Sequence, residues 1–499
     1  MPSRTRAAMT LAAAVALTAG LSAVAATAAP GGSAPGTSTG PSSSQSPYLV
    51  RTVPGITTTS ALTVGDRAQN GYRMVGIPDG LGGWDNGDGT FTLLMNHELG
   101  GTAGVARAHG STGAFVSRWI IDSTTLAVRS GEDLITKVML ADGTAGTWTA
   151  KTTAFSRFCS ANLADPSAFY DAATGLGTTD RIFLTGEENG AEGRAFAHVA
   201  TGAQAGTSYQ LPWLGHYSFE NVLAKPGTGA ETIVVGTDDS GGGQVYVYVG
   251  TKRATGNPVE RAGLVGGELY GLKIDDVATE TDATAVPATG ARFSLVHIPG
   301  AAAMTGAQLE TASKALGVSS LARPEDGSWD PTDPKGFYVN TTGSFTGISR
   351  LWHLSFADPS DVTKGGTATV PVSSPAYDAA AGSAGQRGPR MMDNMTVNSR
   401  GQVLLQEDPG GQDYLAGLFQ YDPASKALAK IAQHDPNRFV PGAKNFLTRD
   451  EESSGIIPAP WLGAGKYLLD VQAHYATDAE TVEGGQLLVL SVPPGKPVR

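Results

Sequence analysis

The sequence predicts an all-β chain folded as a β-propeller, six-bladed with insertions of unequal length. The first observation behind this is a strand that recurs with a polar end. Four or five apolar or β-branched residues close on an acidic or polar pair in TFTLLMNHE (90–98), DRIFLTGEE (180–188), TIVVGTDD (232–239), KGFYVNTT (335–342), GQVLLQED (401–408) and KYLLDVQAH (466–474). Short apolar runs bounded by turn residues read as buried strands. The second is a polar stretch ahead of these strands: IPDG (77–80), RFCSANL (157–163), SFEN (218–221), RPEDG (323–327), MMDN (391–394) and RDEESSG (449–455). The third is the scarcity of helical periodicity. Repeated short strands without helices favour blades around a channel, with a pair of β-sandwiches as the alternative.

At the N-terminus, two arginines precede an Ala-rich apolar run ending near Ala29, which reads as a secretory signal peptide over 1–29. Residues 30–47 are rich in Pro, Gly and Ser and are expected to be a disordered linker. Residues 48–499 carry no further composition break and are expected to form one propeller domain. No later run approaches the length of a membrane span, so no stable membrane insertion is expected. DNGDGTF (85–91) mimics part of a calcium loop but lacks the closing glutamate, so it reads as a turn.

The chain carries 46 Asp and Glu against 35 Lys and Arg, a formal charge of −11. Such a surface repels polyanions and argues against nucleic-acid binding. There is one cysteine, Cys159, so no internal disulfide can staple a secreted fold. The one Gly-x-Ser-x-Gly match, GTSTG (36–40), lies in the Pro/Gly/Ser stretch and lacks the strand–turn–helix context of a nucleophile elbow, and there is no Walker loop, which disfavours serine hydrolase and nucleotide-binding chemistry.

If the apolar strands are the innermost ones, their ends bring Glu98, Glu187, Glu188, Asp238, Asp239, Glu407 and Asp408 to one mouth. Asp79, Glu220, Glu325, Asp393 and Glu452 join them from the polar stretches. Carboxylates at such range repel by about 4 kcal/mol per pair at intermediate dielectric, and bound cations relieve this. Oxygen donors suit calcium, whereas a thiolate selects a softer or redox-active metal. On its own, Cys159 is equally a buried apolar thiol. His97 and His474, at strand ends, are either ligands or core hydrogen-bonders, and His216 is a candidate for lining the mouth. Arg157, Arg323, Arg390 and Arg449 stand near the candidate ligands, as counter-ions or as forks for phosphate oxygens.

FTLLMNHE, the lone cysteine in RFCSANL, GEEN, FENV with GTDDSGGGQVYVYV, RPED, MDNMTVNSRGQVLLQED and EESSG…DVQAH occur in an order that resembles the PhoX family of secreted bacterial alkaline phosphatases. The resemblance spans most of 71–474. It implies a six-bladed propeller that hydrolyses phosphate monoesters in its channel with ferric iron and calcium. It implies that Cys159 is an iron ligand, Glu220 a carboxylate ligand of the cluster, and Arg323 with Glu325 a phosphate-binding arginine and metal-binding glutamate. Glu187 and Glu188 resemble the family's calcium pair, with Asp393, Glu407, Asp408 and Glu452 as further ligands. The expected protein is a secreted monomer acting on small phosphate esters. A calcium-dependent lactonase or gluconolactonase-like propeller, which needs no cysteine, and a non-catalytic ligand-binding propeller are the alternative readings.

Overall fold

The structure, a computed structural model, describes residues 34–376 and 388–493. The expected signal peptide lies outside the described residues. Its strands assemble into antiparallel sheets whose innermost members are Pro78–Asp85, Phe158–Leu163, Phe219–Ala224, Pro324–Trp329, Met392–Val397 and Glu451–Pro458. Each packs on the next, and the sixth packs on the first, so they close a ring. The fold is a β-propeller. The third and fourth blades share one nine-stranded sheet, because their outer strands Ala291–His297 and Gly366–Ser373 pair edge to edge. The ring is locked where Thr57–Thr63, from the start of the chain, pairs with Glu483–Ser491 from its end.

The innermost strands are the polar stretches, not the apolar ones. The apolar runs Thr90–His97, Ile182–Glu187, Glu231–Asp238, Gly336–Thr341, Val403–Glu407 and Lys466–Ala476 are the second strands, each paired with the innermost strand of its own blade. Burial on both faces explains why they read as continuous apolar runs. Leu93 packs into the cluster with Leu468 and Leu487 of the sixth blade, while Leu94 packs with Phe158 and Phe183 of the second. Leu404 and Leu405, and Val234 and Val235, split between two clusters in the same manner. A cluster therefore lies between every two neighbouring blades, and a buried leucine in one contributes about 2 kcal/mol by removal from water.

Polar latches reinforce these seams. From second strands, Asn96 Nδ2 donates to Cys159 O at 2.6 Å, Asn340 Nδ2 to Asp393 O at 2.9 Å, and Gln406 Nε2 to Ser454 O at 2.9 Å. Each amide reaches the innermost strand of the following blade, so the channel wall is held at fixed spacing.

From Ala34 onward the Pro/Gly/Ser segment is tied down, against the expectation of disorder. Thr37–Thr39 pairs in parallel with Thr58–Ser60, and Gly40 N donates to Ser60 O. Ser and Thr hydroxyls supply bonds that the composition argument overlooks: Ser43 Oγ meets Thr63 Oγ1 at 2.9 Å, and Ser60 Oγ donates to Gln45 O at 2.6 Å. The stretch 85–91 is a hairpin turn, with Asp85 opposite Phe91. No helix among the described residues is long and apolar enough to cross a membrane.

Candidate active site

The six innermost strands begin alike. The second residue of each is Asp79, Cys159, Glu220, Glu325, Asp393 or Glu452. Opposite the first residue stands the near end of the second strand, and the residue after that point is Glu98, Glu188, Asp239, Thr342, Asp408 or His474. One backbone bond fixes this arrangement in all six blades. The latter residue donates its N–H to the carbonyl of the residue just before the innermost strand: Ile77, Arg157, Ser218, Arg323, Met391 or Asp450, at 2.8–3.0 Å. Sixfold repetition thus builds two concentric sets of side chains from one local motif.

Eleven of these twelve residues, Thr342 being the exception, line a cleft of about 210 Å³ together with Arg157, Arg323, Gly410, Asp450 and Gln472. Their donor atoms form four overlapping groups, Asp79–Glu98–Cys159, Cys159–Glu188–Glu220, Glu220–Glu325–Asp393 and Asp393–Asp408–Glu452, with the atoms of each group within 4.8 Å of one another. Cys159, Glu220 and Asp393 are each shared by two groups, so the groups run as a chain across the cleft.

Ten carboxylates here face two guanidiniums and one imidazole. Burial first, and then the neighbouring carboxylates, push Asp79, Glu220, Glu325, Asp393 and Asp408 well above the carboxylate range. Glu188 rises to about 7 by burial and by Glu98, opposed by Arg157. Burial and the carboxylates Glu188, Glu98 and Glu220 raise the Cys159 thiol, whose Sγ donates to Glu188 Oε2 at 3.0 Å. Burial would raise Glu452 too, but His474 holds it at about 2. Burial would lower His474, yet Glu452 at 3.9 Å and Glu483 at 2.7 Å push it up to about 11. A buried set so rich in unneutralised oxygen donors, plus one thiol, fits cations.

The arginines are held as forks. Arg323 donates from Nε and Nη2 to both oxygens of Asp239, at 2.7 Å each, and lies 3.2 Å from Glu325. Arg157 bonds Glu98 at 2.8 Å and also Glu188. Beneath the acids, Ser160 Oγ donates to Glu220 Oε1 at 2.6 Å, and Asn394 Nδ2 donates to Ser160 at 2.5 Å. This polar floor orients Glu220 from below.

Of the residues singled out from sequence, the cleft gathers Glu98, Cys159, Glu188, Glu220, Glu325, Asp393, Asp408, Glu452, Arg157 and Arg323. Glu187, Asp238, Glu407 and Arg449 lie elsewhere. Adjacent strand residues point to opposite sides, so only one acid of each pair can face the cleft, and it is the second. Glu187 is clamped by Arg194 at 2.6 Å and Glu407 accepts the N–H groups of Arg390 and Gly417. Asp238 is raised to about 7 by burial, outside the cleft. Arg449 pairs with Asp413 beside a separate pocket. His97 is a buried core histidine, hydrogen-bonded to Gly76 O and Ser117 and stacked on Phe115; His216 lines a different pocket. Gln472, which donates to Asp79 at 3.1 Å and Glu98 at 2.9 Å, was not foreseen. Period-two alternation back from His474 is the pattern that points to it.

The chain resembles the PhoX of Pseudomonas fluorescens, solved in complex with vanadate, a transition-state analogue: TM-score 0.59, 13% identity, 89% of this chain and 96% of that one. A gluconolactonase from Xanthomonas campestris aligns with TM-score 0.36 and 10% identity over 90% of this chain and 94% of that one. A putative 6-phosphogluconolactonase from Bacteroides uniformis gives 0.33 and 14% over 79% and 95%. No curated protein sequence matches the chain. The family model described as alkaline phosphatase PhoX matches residues 199–435, from the second blade through the fifth. Over those residues the chain is similar to the PhoX family of alkaline phosphatases, and it shares the propeller fold of the Pseudomonas protein along nearly the whole described chain.

Proposed function

We propose that this phosphatase is secreted and monomeric, and that it hydrolyses small phosphate monoesters in the cleft with calcium as cofactor and ferric iron beside Cys159. The observation that carries this reading is the chain of four donor groups flanked by two forked arginines. Asp79, Glu98, Glu220, Glu325, Asp393, Asp408 and Glu452 would hold calcium. Cys159, with Glu188 and Glu220, would hold the softer ion. When bound, the cations supply neutralisation of phosphate charge and activation of the attacking water.

The chain's own residues do the positioning. Arg323 and Arg157 are about a third and a half exposed, so each can turn its free N–H groups to phosphate oxygens while carboxylates hold the other edge. Arg323 is the residue assigned to the developing negative charge of phosphoryl transfer. His474 stays an imidazolium at neutral pH, fixed between Glu452 and Glu483, and adds a third positive charge to the rim. Cys159, the cysteine that lines the cleft, is assigned to the metal, and the reading requires no covalent side-chain nucleophile. The test is hydrolysis of p-nitrophenyl phosphate by protein as purified, after chelation, and after calcium is restored. Activity that chelation removes and calcium restores is expected; no turnover in any state overturns the reading.

A further inference from the structure

Four of the six residues that precede an innermost strand have left-handed backbone: Ile77, Arg157, Arg323 and Met391. In each of these blades the peptide N–H one residue earlier is tied down. Gly76 N donates to the carbonyl of Thr481 at 2.9 Å. The other three donate to a buried carboxylate. Ser156 N bonds Glu187 Oε1 at 3.1 Å, Ala322 N bonds Glu280 Oε2 at 2.9 Å, and Arg390 N bonds Glu407 Oε1 at 2.6 Å.

Two of these carboxylates stand behind the arginines assigned to phosphate, and each is braced by a second arginine. Arg194 donates to both oxygens of Glu187, at 2.6 and 2.7 Å. Glu280 Oε1 accepts from Arg350 Nη1 and from Thr341 Oγ1, at 2.9 Å each. Arg350 in turn donates to the carbonyls of Thr281, Asp282 and Thr284. Glu187 and Glu280 are 2% and 5% exposed, and neither lines the cleft. A buried ion pair adds little net stability, but it fixes the direction of the peptide it holds. Left-handed backbone at a non-glycine residue persists only where its surroundings over-determine it, and here the two glutamates do so.

We infer that Glu187 and Glu280 are positioning residues, which aim Arg157 and Arg323 into the cleft through the peptides that lead into them. The inference rests on the phosphatase reading above. Neither glutamate touches the ester, and each acts on phosphate only through its arginine.

The experiment is calorimetric binding of inorganic phosphate to the full chain in saturating calcium. Glutamine keeps the size of glutamate but has one acceptor oxygen in place of two. In Glu280→Gln it cannot serve both Arg350 and the N–H of Ala322. The dissociation constant should rise about tenfold, as for a lost hydrogen bond to a charged group. The same substitution in an Arg323→Ala background should add no further rise, because residues that act through one another are not additive. A merely structural role gives the same factor in both backgrounds, and that result overturns the inference. So does an unchanged dissociation constant in Glu280→Gln, which leaves the phosphate site standing. Glu187→Gln with Arg157→Ala repeats the cycle in the second blade, and decides the matter if Glu280→Gln does not fold. An unaltered chain that neither binds phosphate nor turns over p-nitrophenyl phosphate removes both readings together.

Discussion

Arg157 and Arg323 occupy the same place in two different blades. Each immediately precedes an innermost strand, each has left-handed backbone (φ +49° and +62°), and each accepts through its carbonyl the N–H of an outer-position residue. The backbone pays for this conformation, since a non-glycine residue there costs about 1 kcal/mol. It aims both guanidiniums at one cleft. Arg323→Ala should raise the inhibition constant for inorganic phosphate about 10- to 100-fold, the worth of a charge-assisted hydrogen bond. Arg323→Lys should recover little, because a point charge cannot replace the fork. Arg157→Ala should act in the same direction. Unchanged phosphate inhibition in both alanine variants would make the arginines counter-ions and nothing more.

The sequence made the second strands legible and misassigned the innermost ones. Leu93 and Leu94 face two apolar seams, so their strand announces itself. Asp79, Cys159 and Glu220 face an acidic cleft, so their strands look like loops. A register shift after the first residue of five innermost strands, as between Phe158 and Ala161, further hides the period-two pattern. The acids were found because the two elements lie side by side in every blade. Which acid of each pair faces inward was not legible, since Glu187 and Glu188 differ only in strand phase.

Cys159 separates a mixed-metal cleft from a calcium-only one. Its thiol is held protonated by burial and by three carboxylates, so only a strongly thiophilic ion would displace that proton. Cys159→Ser should abolish visible absorption from an iron–thiolate pair and lower the iron content, while calcium content stays. A colourless unaltered protein with full phosphatase activity would remove iron from the reading.

Chelated protein should be less stable, and the loss should depend on pH. Glu188 is raised to about 7 by burial and Glu98, while Glu407, raised to about 7 by burial, acts in the same direction. For a carboxyl raised in the folded state, stability is complete below its unfolded value near 4.5 and falls as pH rises through the folded value. Melting of the chelated chain should therefore drop between about pH 5 and 8. Calcium should flatten that profile, because neutralised carboxylates no longer need protons. A flat profile without metal would show that the acids are neutralised from within the chain.

Asp470 is the odd member of another sixfold set. Four residues before the outer position, the blades carry Leu94, Leu184, Val235, Tyr338, Leu404 and Asp470, all buried and turned toward the following blade. Neither Asp470 oxygen has a hydrogen-bond partner among the described residues, and burial, then Glu452, pushes the carboxyl well above its usual value. Asp470→Leu should stabilise the chain by about 1–3 kcal/mol, the penalty of an unpartnered buried polar group. The sign with pH follows from the raised value. The native carboxyl costs least when protonated, so the gain from leucine should be small near pH 4 and larger at pH 8. Urea unfolding of both chains at the two pH values reads the difference. A destabilised leucine variant at pH 8 would mean that the carboxylate is matched in the folded protein by a cation, in line with the acidic cleft two residues beyond it at Gln472.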